Sequence, residues 1–427
     1  MSIKLTIVYV LFSIMGIATE NFLCRICNSK EREEILNFGD MALTGVFIEN
    51  GTEVPDAPLC LIRCSDCGLV QLAHTYESSS LYGETYGYES HLNSGMALHL
   101  KRRAKILESR FLSQIPNPII VDIASNDGTL LSGYENPNSK LVGIDPLISV
   151  VSDHYPIGAT KVPHFFSAAA YSEQGLSKAN LVTSMAVLYD LESPATFASD
   201  IYEILDEGGV WHFEQSYLPT MINTLSYDTI CHEHLLYLSL HDILRITRES
   251  GFQLLDASLN SANGGSIAVT AIKSGSQIES SPFVKYLLEK EVSEGLADGT
   301  MIRNFAIQAV EHKIQLRGLI RNYQEAGFLI NGLGASTKGN VLLQWLELDS
   351  TVISCIGDVN SRKYGKQTPG TGIPIVPEEI ILQEASSKSL TLVLPWHFRD
   401  GIIGKSTSLL ERGGSLLFPL PQIEVVA

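Results

Sequence analysis

The sequence is short of positive charge: 30 lysines and arginines stand against 47 aspartates and glutamates, a formal net charge of −17. Non-specific nucleic-acid binding needs a positive surface, so that class of partner is excluded. A small anion such as a sugar diphosphate needs only one or two cations and some backbone amides. Long Ser, Gln or charge-rich tracts are also missing, and 45% hydrophobic with 18% charged residues describes a folded chain. At 427 residues it is long enough for about two to three domains. No apolar run has the length of an ordinary membrane span. The nearest candidate, Leu5 to Ala18 after Lys4, is too short, and Gly16 and Ala18 before Thr19 make it imitate a secretory signal. A signal, an upstream start-site artefact and an apolar first strand all fit it. The metal and nucleotide chemistry read below favours the cytoplasm and gives no membrane role.

Cysteine is scarce outside one region. Of seven, Cys24, Cys27, Cys60, Cys64 and Cys67 crowd near the N-terminus, while Cys231 and Cys355 stand alone. An evenly spread disulfide framework is therefore not expected. Cys24-x-x-Cys27 and Cys64-x-x-Cys67 form two thiolate knuckles, which predict a closed tetrahedral structural zinc with no open catalytic position. Cys60 reads as a core residue.

The order of patterns predicts an α/β chain. Residues 1–21 are the apolar extension, and 22–81 form a small zinc-ribbon-like module with short strands such as LIRC and GLVQLA. Residues 82–280 begin with a Tyr- and Gly-rich connector and a helix over Met96–Ser113. Then IIVDIA, LVGID, ANLVTSMAV and GGVWHFEQ alternate with helical stretches, as in a Rossmann-like parallel sheet. Residues 281–427 open with a helical segment to Ala326 and close as a smaller Rossmann-like domain, with strands in TVISCIGD, IPIV, SLTLVLP and GGSLLFPLP.

The dinucleotide fingerprint G-x-G-x-x-G is absent after the first central strand. In its place stands VDIASNDGTLL, with Asp122 at the strand end and Ser125, Asn126, Asp127 and Gly128 turning into a helix. Gly128 lets the backbone approach a ligand, and Asp145 at the end of the next strand can accept both hydroxyls of a ribose. Without a pyrophosphate cradle, S-adenosylmethionine fits better than a nicotinamide cofactor.

SYDTICHEHLLYLSL gathers Cys231, His232, Glu233 and His234. Histidine suits proton transfer near neutral pH, and a neighbouring carboxylate can orient it; H-x-H is not the H-E-x-x-H zinc pattern. GLGASTKGN offers glycine-exposed amides, Lys338 and Asn340 as a phosphate-holding turn without P-loop spacing, and Asn360, Lys363 and Lys366 follow downstream. A structural cluster at the histidines and a plain strand–helix connector at Lys338 are the bland alternatives.

In combination, CRIC…CSDCG, YGYES, ASNDGTLL, YDTICHEHLLY, NGGS and GLGASTKGN resemble the sugar C-methyltransferase family over nearly the whole chain after about residue 22. The resemblance implies a zinc-binding domain, a central class I methyltransferase domain and a C-terminal domain, making branched deoxysugars on nucleotide carriers. It implies His234 as general base beside Glu233, a connector tyrosine on the sugar (Tyr88, with Tyr86 next), and the sugar nucleotide between the last two domains near Lys338. Asn263 and Ser266 are candidates for holding the sugar or its oxyanion. The family often has an aromatic residue where this chain has Cys231, and a polar loop where it has SMAVLYDLESP, so the sugar substituent and the adenine side are expected to differ. Methyl transfer to oxygen or nitrogen, a non-catalytic sugar-nucleotide sensor and an NAD-dependent oxidoreductase are the competing functions. Monomer and dimer both remain open.

Overall fold

The structure is a computed structural model that describes residues 17–427 except 50, 53, 78–80, 82–87 and 385. The signal-like run up to residue 16 and Tyr86 lie outside the described residues.

Near the N-terminus, β1 (Ala18–Glu20) pairs with β5 (His74–Tyr76), and β2 (Arg32–Ala42), β3 (Asp56–Cys64) and β4 (Val70–Leu72) form an antiparallel meander. LIRC falls in β3 and GLVQLA spans β4. The two Cys-x-x-Cys segments are tight turns: Asn28 N–H donates to Cys24 O at 2.9 Å and Gly68 N–H to Cys64 O at 3.0 Å. Asn28 and Gly68 take φ of 59° and 84°, the left-handed values that reverse a chain in a short turn. The four sulfurs lie within 4.8 Å of one another, with Cys24–Cys67 and Cys27–Cys64 at 3.5 Å. Zinc–sulfur bonds of about 2.3 Å place tetrahedral sulfurs roughly 3.8 Å apart, so the thiolates fit structural zinc. Cys60 is outside the cluster, facing Glu34.

The central sheet holds β6 (Ile119–Ile123), β7 (Lys140–Ile144), β8 (Thr160–Val162), β9 (Ala179–Met185), β10 (Leu205–Ser216), β12 (Phe252–Asn260) and β13 (Ser266–Lys273). Their order is β12-β13-β10-β9-β6-β7-β8, parallel from β6 to β10, with β13 antiparallel to both neighbours. All five residues of β6 are buried, as expected of a parallel strand covered on both faces. The short β11 (Leu236–Tyr237) leaves this unit and pairs with β4 of the N-terminal sheet.

One expectation fails locally. Gly128 leads into turns and the single 3-10 turn Leu131–Gly133, not an α-helix. The helix Ser94–Leu107 occupies that face: a Cβ on Gly133 would meet Lys101 and Ala104.

Two helices, Pro282–Ser293 and Thr300–Glu325, lead to the C-terminal sheet. It contains β14 (Leu329–Leu333), β15 (Ile356–Asp358), β16 (Ile375–Pro377), β17 (Ser389–Val393), β18 (Ser415–Phe418) and β19 (Glu424–Val426), in the order β16-β15-β14-β17-β18-β19. All pair in parallel except β19, an antiparallel edge strand without a counterpart in the sequence reading. From the helix Thr337–Trp345, Trp345 packs on Phe38 of β2 and on Tyr227, with ring centroids 4.8 and 4.7 Å away. Gln344 bonds both backbone groups of Ala42, so this helix joins the N-terminal sheet to the Tyr227 turn of the central unit. Among the described residues, no helix is long and apolar enough to cross a membrane.

Because metal closes the two knuckles, Cys64→Ser is expected to abolish stoichiometric zinc by elemental analysis and to lower the midpoint of thermal unfolding. Structural zinc supplies on the order of 10 kcal/mol in small modules. Full zinc content with an unchanged melting curve would contradict the assignment.

Candidate active site

A cavity of about 620 Å³ opens where the C-terminal ends of β6, β7, β9 and β10 meet the segment before β11 and the C-terminal unit. That volume is in the range of small-molecule sites, and the position is where parallel α/β sheets bind ligands.

Asp122, Ala124, Ser125, Asn126, Asp145, Pro146, Leu147, Phe165 and Phe166 line one end. Asp145 Oδ2 accepts from Asn126 N–H at 2.8 Å and Oδ1 from Leu147 N–H at 2.7 Å. Burial raises its pKa, and those two amides oppose the rise. The carboxylate is thus held at the strand end with lone pairs left for ribose hydroxyls. Burial pushes Asp122 up to about 8 despite a 2.7 Å bond donated by Thr183. Phe165 is 59% exposed, an apolar surface suited to a flat base.

Tyr88, Glu233, His234, Asn263, Ser266 and Lys338 line the other end. His234 Nδ1 donates to Thr229 O at 2.8 Å, which leaves its lone pair on Nε2, and the ring packs on Tyr189 at 4.3 Å. Burial and the Lys338 charge lower this histidine to about 3, so it is neutral at physiological pH. Glu233 Oε2 accepts from Thr44 at 3.2 Å, while Oε1 is buried without a hydrogen bond. A Cβ on Gly45 would run into Oε1, so the N-terminal module cradles this carboxylate at a glycine. Lys338 Nζ donates to Asn263 O at 2.8 Å, and burial lowers its pKa against the opposing charge of Asp228.

Other expected residues are placed elsewhere. Asp127 lies outside the cavity and accepts from Thr129 N–H and from both the backbone and Nδ1 of His91. Asn126 bonds Ser90 N–H and Tyr88 O, so these two side chains fasten the connector. Gly128, at φ 85°, faces Tyr155 and not the cavity; a Cβ there would meet that ring. Its smallness serves packing, which corrects the ligand-approach role read from the sequence. Cys231 is fully buried beside Glu233, and His232 packs on Tyr76 at 4.9 Å. Asn340 donates to Thr44 O, Asn360 caps the turn Ser361–Lys363, and Lys363 donates to Ala335 O at 2.7 Å near Asp358. None of these five, nor Lys366, lines the cavity.

Glu214, Gln215 and His397 line the cavity and were not anticipated. Glu214 is held by His99 at 2.6 Å, Arg103 at 2.9 Å and Asn260 at 3.0 Å. The His99/Arg103 spacing on one helix face was a readable signal. His397 carried none.

The strand order, with its antiparallel last pair, and the two aspartates at adjacent strand ends define a class I S-adenosylmethionine-dependent methyltransferase. Family comparison agrees: a methyltransferase domain matches residues 91–257, a zinc binding domain 24–82 and a C-methyltransferase C-terminal domain 261–421. Together the three matches span most of residues 24–421, in the domain order of a C-methyltransferase. It is similar to C-methyltransferase NovU of Streptomyces niveus, at 27% identity over 95% of this chain and 96% of that one. Solved structures with partial likeness include magnesium protoporphyrin IX methyltransferase of Synechocystis PCC 6803 with bound S-adenosylmethionine (15% identity, TM-score 0.31, 42% of this chain, 81% of that one). Another is the glycopeptide N-methyltransferase MtfA (12% identity, TM-score 0.30, 41% and 90%). S-adenosylmethionine is the cofactor, and zinc is the second.

Gly45→Ala should displace the Glu233 carboxylate, at a stability cost of about 1–3 kcal/mol for overpacking of this kind, and turnover is expected to fall with the displaced carboxylate. Calorimetry should find S-adenosylmethionine binding unchanged. Wild-type turnover would mean that the cradle does not matter to the reaction.

Proposed function

We propose that the enzyme methylates a carbon of a nucleotide-linked keto-deoxysugar, with His234 removing the proton from the carbon beside the ketone. The observation that carries this reading is the placement of His234, its Nδ1 tied to Thr229 and its Nε2 lone pair left for a proton, in one cavity with Asp145. A base of this kind turns a carbon acid into a nucleophile; transfer to a hydroxyl or amine makes less demand for it. S-adenosylmethionine supplies an electrophilic methyl group with its own leaving group, so no catalytic metal is required.

The chain's residues divide the remaining work. Asp122, Ser125, Asn126 and Asp145, supported by Asp127 and Gly128, hold the donor. Glu233, Tyr88, Asn263 and Ser266 orient the sugar around its carbonyl. Lys338, with the amides that open the nine-residue helix Thr337–Trp345, meets the diphosphate. Cys231, Asn340, Asn360 and Lys363 support these groups from behind the cavity wall. Zinc stays structural, in a unit spanning 22–81, with the transferase unit at 82–280 and the sugar-nucleotide unit at 281–427. Nucleotide-sugar chemistry places the enzyme in the cytoplasm, without nucleic-acid or membrane partners.

Incubation of a nucleoside-diphosphate 4-keto-6-deoxyhexose in deuterium oxide without methyl donor tests the proposal. The wild type should exchange the proton beside the ketone, and His234→Gln should lose exchange and transfer by about 10²–10⁴-fold, the usual worth of a general base. Binding of S-adenosylmethionine should not change. No exchange by the wild type, together with methylation on oxygen or nitrogen, would refute it.

A further inference from the structure

His397 comes to the cavity on the loop that follows β17, by a route that starts at its neighbour. Trp396 Nε1 donates to the buried Asp228 Oδ2 at 2.8 Å, in the same segment whose Thr229 carbonyl orients His234. Gly264 closes on the Trp396 ring: a Cβ there would lie 3.2 Å from it. This docking fixes the loop, and the His397 ring is held between Trp396 and Phe398, with centroids 5.6 and 4.2 Å away. His397 Nδ1 is buried without a hydrogen bond, and no described bond uses the ring at all. Nδ1 is closed off by the protein, and His397 lines the cavity, so Nε2 is the ring nitrogen left for a cavity ligand. His234, Lys338 and His397 all line the one cavity, and the Lys338 charge acts on both imidazoles.

We propose that His397 is a second catalytic histidine, donating a ring N–H to the acceptor's carbonyl oxygen as negative charge develops there. This rests on the enolate reading above. In the first step the C–H electron pair moves into the new C=C bond, the proton goes to His234 Nε2, and the carbonyl π pair moves to oxygen, where His397 donates. In the second, oxygen re-forms the carbonyl, the carbon takes the methyl group, and the S–CH₃ pair leaves with sulfur. His397 keeps its proton throughout. Burial and Lys338 lower its pKa to about 3, so it works as a neutral donor at pH 7 and needs no protonation.

The test uses the full-length zinc-loaded enzyme, the same keto-hexose probe and two variants. His397→Phe keeps a ring without a donor; His397→Asn restores an N–H. Loss of one oxyanion donor typically costs about 10²–10³-fold, so His397→Phe should lose that much in both donor-free deuterium exchange and methyl transfer. His397→Asn should recover at least tenfold of it, and both should bind S-adenosylmethionine as the wild type does. Exchange by His397→Phe within threefold of wild type, or equal losses in the two variants, would overturn the assignment while leaving His234 as base. A wild type that does not exchange, and methylates oxygen or nitrogen, overturns the enolate reading and this inference together.

Discussion

The placement of Glu233 and His234 at the cavity depends on one short backbone pairing. Leu72 N–H donates to Leu235 O at 2.9 Å, and β11 lies antiparallel to β4 through Leu236–Gln71 and Tyr237–Val70. Glu233 and His234 are the residues immediately before that pairing, so their positions are set by the edge of the zinc-module sheet. Arg25, inside the first Cys-x-x-Cys, reinforces the edge by bonding the Gln71 side chain and the carbonyls of Leu72 and His74. The module's buried Leu36, Phe38, Leu59, Leu61 and Leu72 belong to a core continuous with the other units, so packing as well as the cysteine cluster holds this edge.

Buried carboxylates gather in and behind the cavity lining, each costly unless satisfied. Asp122 has the Thr183 hydroxyl, Asp145 two amides, Glu214 a histidine and an arginine, and Asp228 the Trp396 indole. Glu233, with one 3.2 Å bond from Thr44 and a bare Oε1, and Asp228, with a bare Oδ1, are the least satisfied. Backbone strain gathers here too. Ala124, Asn126 and Ala186 have φ of 54°, 48° and 58°, just beyond the ends of β6 and β9. Such values cost non-glycine residues energy and cluster where a site demands them. The Ala124 and Ala186 amides reach across to Ile144 and Glu214 carbonyls, so the strained turns are also cross-linked.

Patterns that repeat along the chain were legible from sequence: apolar strands alternating with helices, the paired cysteine knuckles and the aspartate at each of two strand ends. These are local signals, written in a few adjacent residues. What escaped was long-range. Nothing around Gly45 or Thr44 announces that they cradle Glu233, because the contact spans the N-terminal and central sheets. Asn340 and Lys363 looked like phosphate ligands, since polar residues near a glycine turn do so in a linear reading; the fold turns them toward Thr44 and Ala335. Gly128 was read for the ligand when its neighbour is Tyr155, and the absent helix after it reflects a face already taken by Ser94–Leu107. His397 lies in a segment with no periodic or motif signal, and only docking of Trp396 brings it to the cavity.

The two ends of the cavity are also joined. Asn126 bonds Asp145 through its backbone, while its side chain holds Ser90 and Tyr88 of the connector. Asp127 does the same for His91. Glu89, between them, forms an ion pair with Arg362 of the C-terminal unit at 3.4 Å. The connector thus bridges the Asn126–Asp127 turn to the unit that carries Lys338 and His397. The shape of that turn and the placement of Tyr88 draw on the same few hydrogen bonds, so a change at one is transmitted to the other without a large rearrangement.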